Sequence, residues 1–174
     1  MGRTMTEPIV PAPDHEPLPA QSHGQSWLVS WHPAGDPPPG RPHGSAGVCL
    51  TDAGELALIS HDGEHWGFPA GRPEGEETYE ETLRREMWEE ACVTVTAARL
   101  LGYVRSECVR GHEQGLVLVR AFWRAMTLVH PWEPRFEIRH RRLVPAADAR
   151  HHVRDPNIVS RRFDHRALAE AGLL

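Results

Sequence analysis

Apolar residues cluster in short runs through the middle of the chain, and turn residues separate the runs. Residues 46–51 and 56–60 flank Asp52-Ala53-Gly54, which predicts a β-hairpin whose glycine supplies the positive φ such a turn often needs. Asp62-Gly63 marks another turn, and residues 66–68 are expected to be a short extended piece because Pro69 pushes its predecessor toward β conformations. Residues 99–109 and 116–129 are rich in β-formers and separated by 110–115, which predicts a second hairpin. Residues 27–31 read as a first strand and 138–144 as a last one. Between the hairpins the chain changes character: residues 78–91 hold no Gly or Pro and predict a helix, with Thr78 as N-cap and Glu81 completing a capping box. At about 100° per residue, Tyr79, Leu83, Met87 and Ala91 fall on one stripe that faces a core. A helical turn over 146–151 and a helix over 165–171 follow. Strands, one long helix, more strands and a closing helix predict an α/β protein with helices packed on a mixed sheet.

Proline sets the boundaries. Residues 1–25 contain Pro8, Pro11, Pro13, Pro17 and Pro19 and few large apolar side chains, so they predict a disordered or extended tail. The segment 33–42 holds five more prolines and is expected to be a loop. With 174 residues, 40% apolar content and six tryptophans, the remainder, 26–174, suits one domain. The chain has no lysine, which excludes a Walker phosphate loop and a Schiff-base lysine. Its three cysteines, Cys49, Cys92 and Cys108, form no Cys-x-x-Cys pair and predict buried thiols, not a disulfide framework or zinc site. Twelve histidines include no His-Glu-x-x-His. Apolar runs fall far short of the ~20 residues of a membrane span and the start lacks a signal-peptide pattern, so a soluble, cytoplasmic protein is expected. Scattered arginines on a mildly acidic chain argue against binding duplex nucleic acid.

Charge singles out one segment. Residues 71–93, GRPEGEETYEETLRREMWEEACV, carry eight glutamates and three arginines, a net charge of −5 that equals that of the whole chain. On the helix, Glu89, Glu86 and Glu90 fall near 280°, 340° and 20° at about 100° per residue, so three carboxylates crowd the border of the buried stripe. Like charges so spaced repel, and a hard divalent cation reverses that penalty while keeping positions open for water and phosphate. The competing reading is a solvated helix whose acids pair with arginine, as Glu81 with Arg85 and Arg85 with Glu89.

The flanking sequence bears on that choice. The segment resembles the Nudix box, G-x5-E-x7-R-E-U-x-E-E-x-G-U with U a bulky apolar residue, at Gly71, Glu77, Arg85, Glu86, Met87, Glu89, Glu90 and Val93. Resemblance to the Nudix (MutT-like) superfamily implies an α/β/α sandwich with a mixed β-sheet. It implies a hydrolase cleaving a phosphoric anhydride in a nucleoside diphosphate derivative or nucleoside triphosphate with Mg²⁺ or Mn²⁺. Glu86, Glu89 and Glu90 would hold the metal together with the Gly71 carbonyl, Arg85 would orient a carboxylate, and Glu77 would brace the loop. Glu137 would serve as a further ligand or base, its rival reading being a surface residue paired with Arg139 or Arg141. A homodimer is a further expectation from the family. The pattern departs from the box at Cys92, in the glycine position, and at Ala70. A left-handed cysteine costs ~1–2 kcal/mol, so the helix is expected to end with other geometry. Family marks of particular substrate classes are missing beyond the box. The alternative from another class is a catalytically inactive nucleotide-binding or regulatory module; the intact glutamates favour the enzyme.

Overall fold

The computed structural model describes residues 10–174. The chain forms β1 (Leu18–Ser22), β2 (Gln25–Pro33), β3 (Arg41–Leu50), β4 (Glu55–Ser60), β5 (Ala70–Gly71), α1 (Tyr79–Ala91), β6 (Val93–Arg110), β7 (Val117–Val129), β8 (His140–Pro145), α2 (Ala149–His152) and α3 (Ile158–Glu170). The strands make a mixed sheet in the order β1-β2-β6-β7-β3-β4-β8, with β5 added beside β3. Only β3 with β7 is a parallel pair among the named strands; the others are antiparallel.

Period-two alternation explains the layers, because successive side chains leave a strand on opposite faces. On β3 and β4, Val48, Leu50, Leu56 and Leu58 pack with Phe163, Ala167 and Leu168 of α3, while Cys49, Ala57 and Ile59 pack with Leu83, Met87 and Ala91 of α1. Both faces of the sheet are therefore covered, giving the α/β arrangement expected from the sequence. Gly47 lets α1 approach: a Cβ there would stand 2.5 Å from the Met87 sulfur.

Both predicted hairpins form, β3 with β4 and β6 with β7. Helix α1 starts as expected, with Thr78 and Glu81 completing the capping box. Three expectations need correction. The expected tail is ordered near its end: Leu18–Ser22 pairs with β2 across the His23-Gly24 turn. Residues 10–17 are pinned too, since Trp31 N–H donates to His15 Nε2 (3.0 Å) and Arg166 binds Asp14 (2.6 Å). Residues 1–9 of that segment lie outside the described residues. Next, α3 begins seven residues before the expected 165, at Ile158, because Asn157 accepts from Val159 N and Ser160 N as its N-cap.

The third correction is Cys92, which does take the left-handed conformation, φ 52° and ψ 47°. Its surroundings explain why. The Cys92 N–H reaches the Met87 and Trp88 carbonyls, its side chain is 2% exposed, and its carbonyl accepts from His130 N at 2.9 Å. Arg141 supplies the positive charge that the last turn of α1 lacks, donating to the Ala91 (2.8 Å) and His130 (2.9 Å) carbonyls. These bonds offset the conformational cost.

Candidate active site

The box loop and helix fold around one arginine. Arg85 donates to both oxygens of Glu77 (2.7 and 3.0 Å), a bidentate pair, and also to Glu86 Oε1 (2.9 Å), Glu89 Oε2 (3.0 Å) and the Arg72 carbonyl (2.7 Å). Loop, helix start and helix middle thus share a single guanidinium. The Arg85–Glu89 pair anticipated by the solvated-helix reading is present, but Glu81 turns instead to Thr78 N. Glu77 also accepts from Glu74 N (3.0 Å) and Thr82 Oγ1 (3.0 Å). Arg85 above all holds the Glu77 carboxyl at about 2, and these bonds reinforce the shift.

Glu86 and Glu90 meet the end of the sheet. A Cβ at Gly71 would fall 2.0 Å from the Glu86 carboxyl carbon, so the carboxyl lies where only glycine leaves room. Glu90 Oε2 accepts from Ala70 N at 2.8 Å. Burial pushes the Glu90 carboxyl up to about 7 against the effect of that N–H, and burial raises Glu86 against the pull of Arg85. Glu86 and Glu90 thus have raised pKa values, and Glu89 shares Arg85 with Glu86, an oxygen-rich set whose mutual repulsion a divalent cation would relieve.

The donor chemistry fits Mg²⁺ or Mn²⁺: Glu86, Glu89 and Glu90 offer carboxylate oxygens, and Glu86 and Glu90 border the Ala70-Gly71 backbone. Among the described residues no three His, Cys, Asp or Glu side chains converge into a ready-made cage. Arg85 explains this, drawing Glu86 and Glu89 to itself while Glu90 faces Ala70. Glu137 is not brought to this focus by any recorded contact. It sits exposed in the turn between Arg135 and Ile138, and among the described residues it makes no hydrogen bond or ion pair. Nor does it pair with Arg141, which serves the end of α1.

A cleft of about 820 Å³ opens at Arg72 and Pro73, immediately after Gly71. Its walls include Arg41, His43 and Arg120 on β3 and β7, Trp27 on β2, and Asp155, Ser160, Phe163 and Asp164 at α3. Sequence reasoning missed Arg120 and Asp164. A signal for Arg120 existed: it is a charge between Leu118 and Phe122, at a position of β7 whose alternation points into the cleft. The tryptophan that lines the cleft is Trp27. Trp66 and Trp132 instead receive Arg142 and Arg141 over their rings at 4.2 and 5.3 Å.

The chain is similar in fold to several solved structures. The Bacillus subtilis pyrophosphohydrolase BsRppH is 21% identical with TM-score 0.62, over 84% of this chain and 92% of that one. A NUDIX hydrolase from Nitrosomonas europaea is 17% identical with TM-score 0.56, over 76% and 89%. The NUDIX domain of Shewanella oneidensis NrtR, complexed with ADP ribose, is 16% identical with TM-score 0.53, over 75% and 87%. No curated protein sequence matches the chain. The model of the NUDIX domain matches residues 41–163, more than two thirds of the sequence, including the box loop and helix, and the chain belongs to that family.

Proposed function

We propose that the protein is a Nudix-type pyrophosphohydrolase that cleaves the phosphoric anhydride of a nucleoside diphosphate derivative or nucleoside triphosphate with Mg²⁺ or Mn²⁺. The observation that carries this reading is the pair of carboxylates at Ala70-Gly71, where Glu86 and Glu90 lie against the backbone that runs on into Arg72 and Pro73 of a cleft large enough for a nucleotide. Glu86, Glu89 and Glu90, with the Gly71 carbonyl, would hold the ion. Such an ion, when bound, neutralises diphosphate charge and lowers the pKa of a bound water. Glu86 and Glu89 both accept from Arg85, which orients the two carboxylates. One of these acids takes the proton of the attacking water as general base, and Arg85 and Glu77 keep the acids at one focus. Glu137, exposed in the turn between Arg135 and Ile138, would serve as a further ligand or base.

The test is turnover. A panel of nucleotides is offered with Mg²⁺ or Mn²⁺ to the wild type and to Glu90→Gln, and released phosphate or pyrophosphate is measured. Turnover that falls about 100-fold or more in the variant supports the reading. Absence of turnover throughout, or indifference to the substitution, supports the inactive module instead.

A further inference from the structure

Arg120 is a half-buried cation that lines the cleft. Its Nε is covered and has no hydrogen-bond partner, and its bond from Nη2 to the His43 carbonyl is long, 3.4 Å. No carboxylate forms an ion pair with it among the described residues. Burial lowers its pKa, yet a guanidinium stays charged at any working pH. Burying an unpaired charge is costly, and proteins otherwise pair such groups or keep them for a ligand.

Its neighbours share the same cleft. Arg41 and Arg72 line it, and burial together with Arg120, Arg72 and Arg41 pushes His43 down to about 4, so three guanidinia gather around a neutral imidazole. Arg72 follows Gly71, and Arg120 stands within the field of Glu90 and Glu86, so this cationic end adjoins the carboxylate focus. Other lining residues are of another kind: Asp155, Asp164, Phe163 and Trp27, with Asp164 within the field of Arg120. The cleft therefore combines guanidinia with aromatic and acidic side chains that suit a ring bearing hydrogen-bond donors.

We propose that Arg120, with Arg41 and Arg72, is a phosphate-binding subsite that favours nucleotides with a free polyphosphate chain over those whose diphosphate is capped by a second sugar. The proposal rests on reading the cleft as the substrate site. A free chain offers more charge and more terminal oxygens to three forked donors than a diphosphate esterified at both ends. Arg120 selects substrate; the glutamates carry the chemistry.

Binding without metal separates the two claims. Inorganic tripolyphosphate is titrated calorimetrically into the full chain in metal-free buffer, with Arg120→Gln and Arg41→Gln alongside. Arg41 is exposed, so its variant keeps the test available if Arg120→Gln fails to fold. The expected result is wild-type binding that weakens with salt and falls about 10-fold or more in a variant. Equal affinity in wild type and the folded variants, or no wild-type binding, overturns the subsite. With Mg²⁺, the kcat/KM ratio of a nucleoside triphosphate to ADP-ribose is expected to fall about 10-fold in Arg120→Gln, through KM. An unchanged ratio overturns the selectivity. If no nucleotide turns over while tripolyphosphate binding still depends on Arg120, the hydrolase reading fails and the anion subsite stands.

Discussion

Replacing Glu77 by glutamine removes the charge that Arg85 holds while preserving shape and one acceptor oxygen. The wild-type carboxyl loses its proton at about 2 instead of the ordinary 4.5, chiefly through the bidentate bonds of 2.7 and 3.0 Å. Holding it there corresponds to a ceiling of about 3.4 kcal/mol at neutral pH. The side chain is 20% exposed, and Arg85 keeps Glu86 and Glu89 as partners, so screening and compensation reduce the expected loss to roughly 1.5–2.5 kcal/mol. The sign follows from a depressed folded-state pKa: the stabilisation is complete above 4.5 and is lost as pH falls toward 2. Urea unfolding of wild type and Glu77→Gln should differ by that amount at pH 7, and more than half of the difference should be gone by about pH 3. A difference below about 0.5 kcal/mol at pH 7, or one independent of pH, refutes the reasoning.

Other predictions concern the same element. Because burial raises Glu90 to about 7, its contribution to stability is complete below 4.5 and lost as pH rises through 7. Thermal melts of metal-free protein should therefore fall from pH 6 to 8, with Mg²⁺ restoring more at pH 8; a flat profile contradicts this. Gly71→Ala drives a methyl into the Glu86 carboxyl and should cost about 1–3 kcal/mol in denaturant titrations, with turnover falling together with stability. Arg141→Met strips its donors from the carbonyls at the end of α1 and should destabilise by roughly 1.5–3 kcal/mol without altering Mn²⁺ affinity. Loss of metal binding in that variant would show that the end of α1 belongs to the site.

Elements specified by local signals were legible in the sequence. The hairpins came from alternation around Gly54 and around 110–115, and α1 came from Thr78, Glu81 and an uninterrupted helical stripe. Glu86, Glu89 and Glu90 were singled out by their spacing at the border of that stripe and, as candidate metal ligands, by the resemblance to the Nudix box. What was missed depends on partners distant in sequence. Leu18–Ser22, beside Pro17 and holding Pro19, has no strand signal of its own and is formed by pairing with β2. Ile158 and Val159, β-branched and just after Pro156, disguise the start of α3; the Asn157 side chain sets it. Cys92 is held left-handed by bonds from His130 and Arg141, which no window around position 92 contains. Arg120 on β7 and Asp164 on α3 line the same cleft, and no motif spacing joins them.

The account turns on the carboxylates at Ala70-Gly71 binding a divalent ion, and titration of Mn²⁺ followed by electron paramagnetic resonance tests that directly. The wild type should bind Mn²⁺, and Glu86→Gln and Glu90→Gln should each weaken it about 10-fold or more. Glu80→Gln, on the same helix but paired with Arg84 in solvent, should leave it unchanged. Equal Mn²⁺ binding by all four proteins, or none by the wild type, would contradict the account.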